Sequence, residues 1–214
     1  TASALAGALD EADAMNFVKV RANAMAEAAA ATPTGMAAVL GGDPEEVLAK
    51  LDELGLTPAN ANGGGQTVAA GTLEQLAALG ENPPANARVI PLKVAGAFHT
   101  AHMQPAVGTL QELADTITPK NPSASLLSNF DGQAVADGQA NLDSLVAQVS
   151  RPVRWDLCMQ TLAEAGVTGV LELAPAGTLV GLARRGLKGV KTLAVKSPAD
   201  LEAAKAFIAE HTAN

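Results

Sequence analysis

The chain has 214 residues, 48% of them hydrophobic and 17% charged, which is enough apolar sequence for one large domain or two small ones and too much for intrinsic disorder. A net charge of −8 repels phosphate backbones, and four phenylalanines, one tryptophan and no tyrosine offer no stacking platform, so nucleic acid is not an expected partner. The single cysteine, Cys158, cannot form an internal disulfide, no run reaches 18 apolar residues, and no basic segment followed by an apolar run opens the chain. No membrane partner is expected, and a reducing cytoplasm fits best. The start at Thr1, inside a small-residue helix without a cap before it, points to a truncated N-terminus.

In chain order, Leu5 to Ala31 reads as an alanine-rich helix or helix pair with Leu9, Ala12, Phe17, Val20 and Met25 on buried faces, stopped at Thr32-Pro33-Thr34. Gly35–Leu40 reads as a buried strand, and Asp43-Pro44-Glu45-Glu46 as a cap, a proline at N1 and an acidic first turn for a helix to about Leu54. Thr57–Asn62 and Gln66–Gly71 are extended runs joined by Gly63-Gly64-Gly65, a hairpin connection. Thr72 caps a helix to Leu79, and Arg88–Val94 is a further strand. This order over residues 35–94 predicts a ferredoxin-like split βαβ unit.

Beyond Thr100 the pattern predicts a helix to about Thr116, short strands at Ser125–Asn129 and Ala134–Val135, and helices at Leu142–Val149 and Val153–Ala165. Strands at Gly169–Leu173 and Val190–Val195 flank a helix that follows Pro175-Ala176-Gly177, and Pro198 opens the last helix. The alternation from Val153 onward predicts a mostly parallel sheet covered by helices.

Few residues could carry chemistry. His99 leaves a strand just before a helix, the place where α/β active sites collect, although a lone histidine there can equally be a structural hydrogen-bonder. His99 and His102 lack a third ligand, so no metal is expected. The three glycines lack the spacing of a phosphate loop, and no serine sits in a Gly-x-Ser-x-Gly elbow. Cys158, mid-helix beside Trp155 and Leu157, reads as a buried structural thiol. Arg21 lies in a helix with little other charge; a solvated arginine is the default and a carboxylate receptor the alternative.

Separated segments then add a resemblance. Thr1 to Gly7 looks like a small-residue helix after a nucleophile elbow, and Val20-Arg21 with Met25 like an arginine segment. Asn60-Ala61-Asn62, Gly65-Gln66 and Gly71 form an Asn-x-Asn…Gly-Gln…Gly pattern. Gly96-Ala97-Phe98-His99-Thr100 looks like a catalytic-histidine motif, Gln148 to Trp155 like a Gln…Asn-Pro-Val-x-Trp segment, and Glu172 to Leu179 like a Glu-x-Gly-Pro-Gly-x-x-Leu turn. In this order they resemble the malonyl-CoA:acyl-carrier-protein transacylases, the acyltransferases of bacterial fatty acid and polyketide synthesis. Arg151, Ala174 and Ala176 depart mildly from that pattern.

The resemblance implies an α/β fold: an α/β-hydrolase-like core over residues 1–33 and 97–214, incomplete at its N-terminus, with an inserted ferredoxin-like subdomain over 34–96. It implies malonyl-CoA and acyl carrier protein as partners, no cofactor, and a serine nucleophile from an N-terminal segment of the same protein that precedes Thr1. His99 would be general base and acid, oriented by a backbone carbonyl at Gln148. Arg21, with Met25 beside it, would receive the malonyl carboxylate. Asn62 would touch the acyl or thioester end, and Phe98 would leave no room for a methyl branch. Arg184, Arg185 and Lys188 are candidates for the surface that an acidic carrier meets. Two other readings stay open: a non-catalytic module binding CoA thioesters or carrier protein, and an acyltransferase domain of a polyketide synthase. The ending at Asn214 favours a free-standing enzyme over the second of these.

Overall fold

A computed structural model describes residues 1–212. Ala2–Leu5 form α1 and Glu11–Ala31 form α2, so of the two readings the sequence leaves open for this stretch the helix pair is found, with its second helix starting at Glu11. The chain turns at Gly7, whose φ of +72° suits glycine, and this drops Ala8 and Leu9 into the interior before the acidic first turn of α2. Phe17, Met25, Ala28 and Ala29 of α2 pack against α5 (Gln104–Ala114) and α6 (Gly138–Ala147) through Leu110, Leu142 and Val146. Ala12 is exposed and Val20 only partly buried, so the buried stripe is narrower than the sequence suggests.

Residues 34–91 build a sheet with helices on it. Its parts are β1 (Thr34–Gly41), α3 (Pro44–Glu53), β2 (Thr57–Gly63), β3 (Gln66–Thr72), α4 (Leu73–Glu81) and β4 (Ala87–Pro91). The Asp43 carboxylate accepts from the N–H groups of Glu45 and Glu46, and Thr72 forms a capping box with Gln75, so both helices start where the caps predict. All three hairpin glycines have positive φ. The strands run β4-β1-β3-β2, each antiparallel to its neighbour, with Met36 opposite Ala70 and Val39 opposite Val89. Helices α3 and α4 cover one face through Val39, Val47, Leu51, Leu56, Ala69 and Leu79. Alternate residues Met36, Val68 and Ala70 pack with Ala59, Ala97 and Phe98 on the other side.

A fifth strand, β5 (Val153–Arg154), pairs parallel to β2 through Asn60↔Val153 and Ala61↔Arg154. The sequence places Val153 at the start of a helix instead. The Arg154 N–H is taken by the carbonyl of Asn129 at 2.7 Å, and α7 therefore begins only at Trp155 and runs to Glu164. Ser125–Asn129 and Ala134–Val135 are not strands of a sheet. They close on each other in a turn that carries one bridge, Leu127↔Ala134, and bonds such as Ser128 N–H to Gln133 O. Helix α6 begins four residues before the expected Leu142, where Asp137 caps it through the Ala140 N–H.

The expected mostly parallel sheet is a single parallel pair, β6 (Gly169–Glu172) with β7 (Lys191–Ala194), while the larger sheet is mainly antiparallel. Helix α8 (Thr178–Gly186) packs on α7 through Met159, Leu182 and Trp155, and α9 (Leu201–Thr212) follows a 3-10 turn opened by Pro198. Among the described residues no helix is long and apolar enough to cross a membrane, and no cluster of three or more His, Cys, Asp or Glu could hold a metal ion.

Candidate active site

His99 stands in the turn between β4 and α5 at φ +60°, a left-handed conformation that side chains rarely adopt. Two bonds to one neighbouring segment hold it. Its N–H donates to Val149 O at 3.2 Å, and its Nδ1 lies 2.8 Å from Gln148 O. A carbonyl can only accept, so Nδ1 carries the proton and Nε2 keeps its lone pair. Burial pushes the His99 pKa down; the carbonyls of Gln148 and Arg151 oppose this, and the Arg21 charge adds to it, with a net value below the ordinary imidazole one. Burial and the Arg21 charge thus favour the neutral ring, whose Nε2 is able to take a proton.

A cavity of about 770 Å³ lies against this ring. Arg21 and Met25 line it from α2, Asn60 and Asn62 from β2, and Phe98 and His99 from the turn after β4. Of the residues singled out in the sequence, Arg21, Met25, Asn62, Phe98 and His99 thus share one space, while Gln148 stands behind it and contributes its carbonyl. Arg21 is half-buried, and among the described residues no carboxylate reaches it as an ion-pair partner. Burial pulls its pKa below the ordinary guanidinium value. An unpaired charge in a largely apolar cavity is a receptor for an anion.

A further part of the lining is one that sequence reasoning did not assign: Val153, Trp155, Leu179 and Leu182, together with Asn129. Apolar spacing within α7 and α8 reads as ordinary core, and nothing local signals that the start of both helices turns toward a distant histidine. Glu172 has a related task. Its buried carboxylate accepts from the N–H groups of Gly177, Leu179 and Val180 at 2.9–3.0 Å, fixing the first turn of α8. Desolvation alone would raise its pKa, but these backbone donors hold it below the usual carboxylate value. Arg184 bonds Thr192 and Arg185 bonds Gln66, so both sit at one end of α8, with Gln66 itself on the cavity wall. Cys158 is buried, with its thiol pushed up to about 11 by desolvation first and by the nearby Asp156 and Asp131 charges.

Residues 1–208 match the family described as acyl transferase domain. The chain belongs to the acyl transferase domain family. The malonyl CoA-acyl carrier protein transacylase of Mycobacterium tuberculosis (strain ATCC 25618 / H37Rv) is 53% identical over 201 residues, covering 94% of this acyltransferase chain and 67% of the relative. The crystal structure of MCAT from Mycobacterium tuberculosis superposes with a TM-score of 0.90 at 52% identity, covering 94% of this chain and 66% of that one. A type II PKS acyl-carrier protein in complex with its malonyl-transacylase matches with a TM-score of 0.85 at 30% identity, over 94% of this chain and 67% of that one. The acyltransferase chain thus spans about two thirds of the length of the relatives it matches.

Proposed function

We propose that the protein moves a malonyl group from malonyl-CoA to the phosphopantetheine thiol of an acyl carrier protein, for fatty acid or polyketide synthesis in the cytoplasm. One observation carries this: an unpaired Arg21 guanidinium and an imidazole with a free Nε2 face one cavity, a carboxylate receptor beside a general base. In the same reading residues 34–96 are a ferredoxin-like subdomain, supported by the order β4-β1-β3-β2, set into an α/β-hydrolase-like core of residues 1–33 and 97–214. A serine nucleophile comes from a segment N-terminal to Thr1.

The steps follow from these roles. Nε2 of His99 takes the serine proton as the oxygen attacks the thioester carbonyl; the C–S bond breaks, and the imidazolium returns the proton to the departing CoA sulfur. The carrier thiol then gives its proton to Nε2 and attacks the seryl ester; the C–O bond breaks and serine recovers its proton. Gln148 O stabilises the imidazolium through Nδ1, and Arg21 holds the carboxylate in both half-reactions. Arg184, Arg185 and Lys188 offer an acidic carrier a meeting place at the α8 end of the cavity.

Radiolabelled malonyl-CoA tests the reading. The full-length protein is expected to take up label and pass it to carrier protein, and the 214-residue chain alone to take up none. Label retained on the chain alone would overturn the placement of the nucleophile, and binding without any transfer by the full-length protein would favour a non-catalytic module.

A further inference from the structure

The turn that presents His99 is gripped by more than the Gln148 segment. Thr34, the first residue of β1 and buried, accepts the Ala97 N–H on its Oγ1 at 3.0 Å. Thr100, also buried, donates from its Oγ1 to the Ala97 carbonyl at 2.7 Å while accepting the His102 N–H. Ala97 is thus tied at its N–H and at its carbonyl two residues before the histidine. Gly96 completes the grip, because a Cβ there would come within 2.8 Å of the Ala29 Cβ and 3.4 Å of Thr34 Oγ1. Ala29 belongs to α2, the helix that carries Arg21 two turns earlier.

We propose that Thr34 is a positioning residue: its hydroxyl fixes the Ala97 peptide, and through it the left-handed His99 backbone, at a set distance from the α2 wall that carries Arg21. The need for such a tie is physical. A non-glycine residue at φ +60° persists only where its surroundings over-determine it. Thr34 gives this turn a side-chain hydrogen bond from the sheet of residues 34–91, beside the non-directional packing of Ala97 and Phe98 on Met36, Val68 and Ala70, so it registers the base against that sheet as well as against the helices. A valine there keeps the shape of threonine and removes the oxygen, leaving the Ala97 N–H buried and unpaired. This role rests on His99 being the base of the proposed transfer.

The test compares full-length Thr34→Val and Thr34→Ser with the parent protein in malonyl transfer and in an NMR titration of the His99 ring. Thr34→Val should lower kcat about ten- to a hundredfold with KM for malonyl-CoA within about twofold, because a base displaced by an ångström costs rate rather than binding. It should also move the His99 titration up toward the ordinary imidazole value as the ring gains water. Thr34→Ser, which keeps the oxygen, should restore most of both. If Thr34→Val does not fold, as judged by its circular dichroism melt, Thr34→Ala against Thr34→Ser makes the same comparison. Equal kcat and equal His99 titration with and without the oxygen would overturn the proposal. A parent protein with no transferase activity would instead sink the catalytic reading, and the titration would still report whether Thr34 holds the ring.

Discussion

Removing the Arg21 guanidinium is the most informative perturbation of the cavity. A carboxylate at about 4 Å from that charge, in surroundings of effective dielectric near 20, gains about 4 kcal/mol. With two parallel N–H donors and no competing protein carboxylate among the described residues, the expected loss for Arg21→Ala is about 2–5 kcal/mol, a drop of about thirty- to several thousandfold in malonyl kcat/KM. Acetyl transfer, which uses no carboxylate, should fall far less. Arg21→Lys should recover part only, because an ammonium cannot bind bidentately. A second readout is independent of the acyl group: the Arg21 charge lowers the His99 pKa, so its removal should raise that pKa and shift the acid limb of the kcat/KM profile to higher pH. The assay is competition between malonyl-, methylmalonyl- and acetyl-CoA for acylation of the full-length protein at several pH values. An equal loss for all three substrates, with an unmoved acid limb, would make Arg21 structural and refute the reasoning.

Other outcomes follow from the same geometry. His99→Ala should reduce malonyl transfer by about two to four decades while the thermal melt stays within a few degrees of the parent, the usual worth of a general base. Phe98→Ser should admit methylmalonyl, with a change in malonyl preference on the order of 1–3 kcal/mol for one methyl group, read from the same competition. Glu172→Gln should destabilise the fold by about 1–3 kcal/mol near neutral pH, measured by urea unfolding. Because the folded Glu172 carboxyl lies below its unfolded value, its ionised form contributes stability above the ordinary carboxylate range, and that contribution is lost as pH falls through the folded value. The stability gap between Glu172→Gln and the parent should therefore shrink in acid.

Local chemistry made much of this legible in sequence. Asp43, Thr72 and the hairpin glycines act through neighbours two or three residues away, so their elements begin and turn where their caps and φ preferences demand. The sequence leaves one helix or two open there and does not place the break at Gly7, because small residues on every side of an alanine-rich run give no periodic contrast. Ser125–Val135 has the composition of two strands, but strand formation depends on a partner far along the chain, and these residues satisfy mainly one another. The same division holds at the cavity. His99 shows itself by scarcity and by its place at a junction, and Arg21 by a charge in an apolar helix. Trp155, Leu179 and Leu182 reach the cavity only through the packing of α7 on α8, and Thr34 acts across 63 positions of sequence.

The parallel pairing of β2 with β5 has a dynamic consequence. Asn60 and Val153, paired in that ladder, both line the cavity, so the lining that comes from residues 34–91 is joined through backbone to the lining that leads into α7. Rotating one of these parts of the lining against the other would break that short ladder. Any opening that leaves the ladder intact is confined to side chains and to segments away from it. Amide hydrogen exchange is then a local gauge: of Asn60 and Ala61, the one whose N–H faces β5 should exchange slowly for as long as that ladder stays joined.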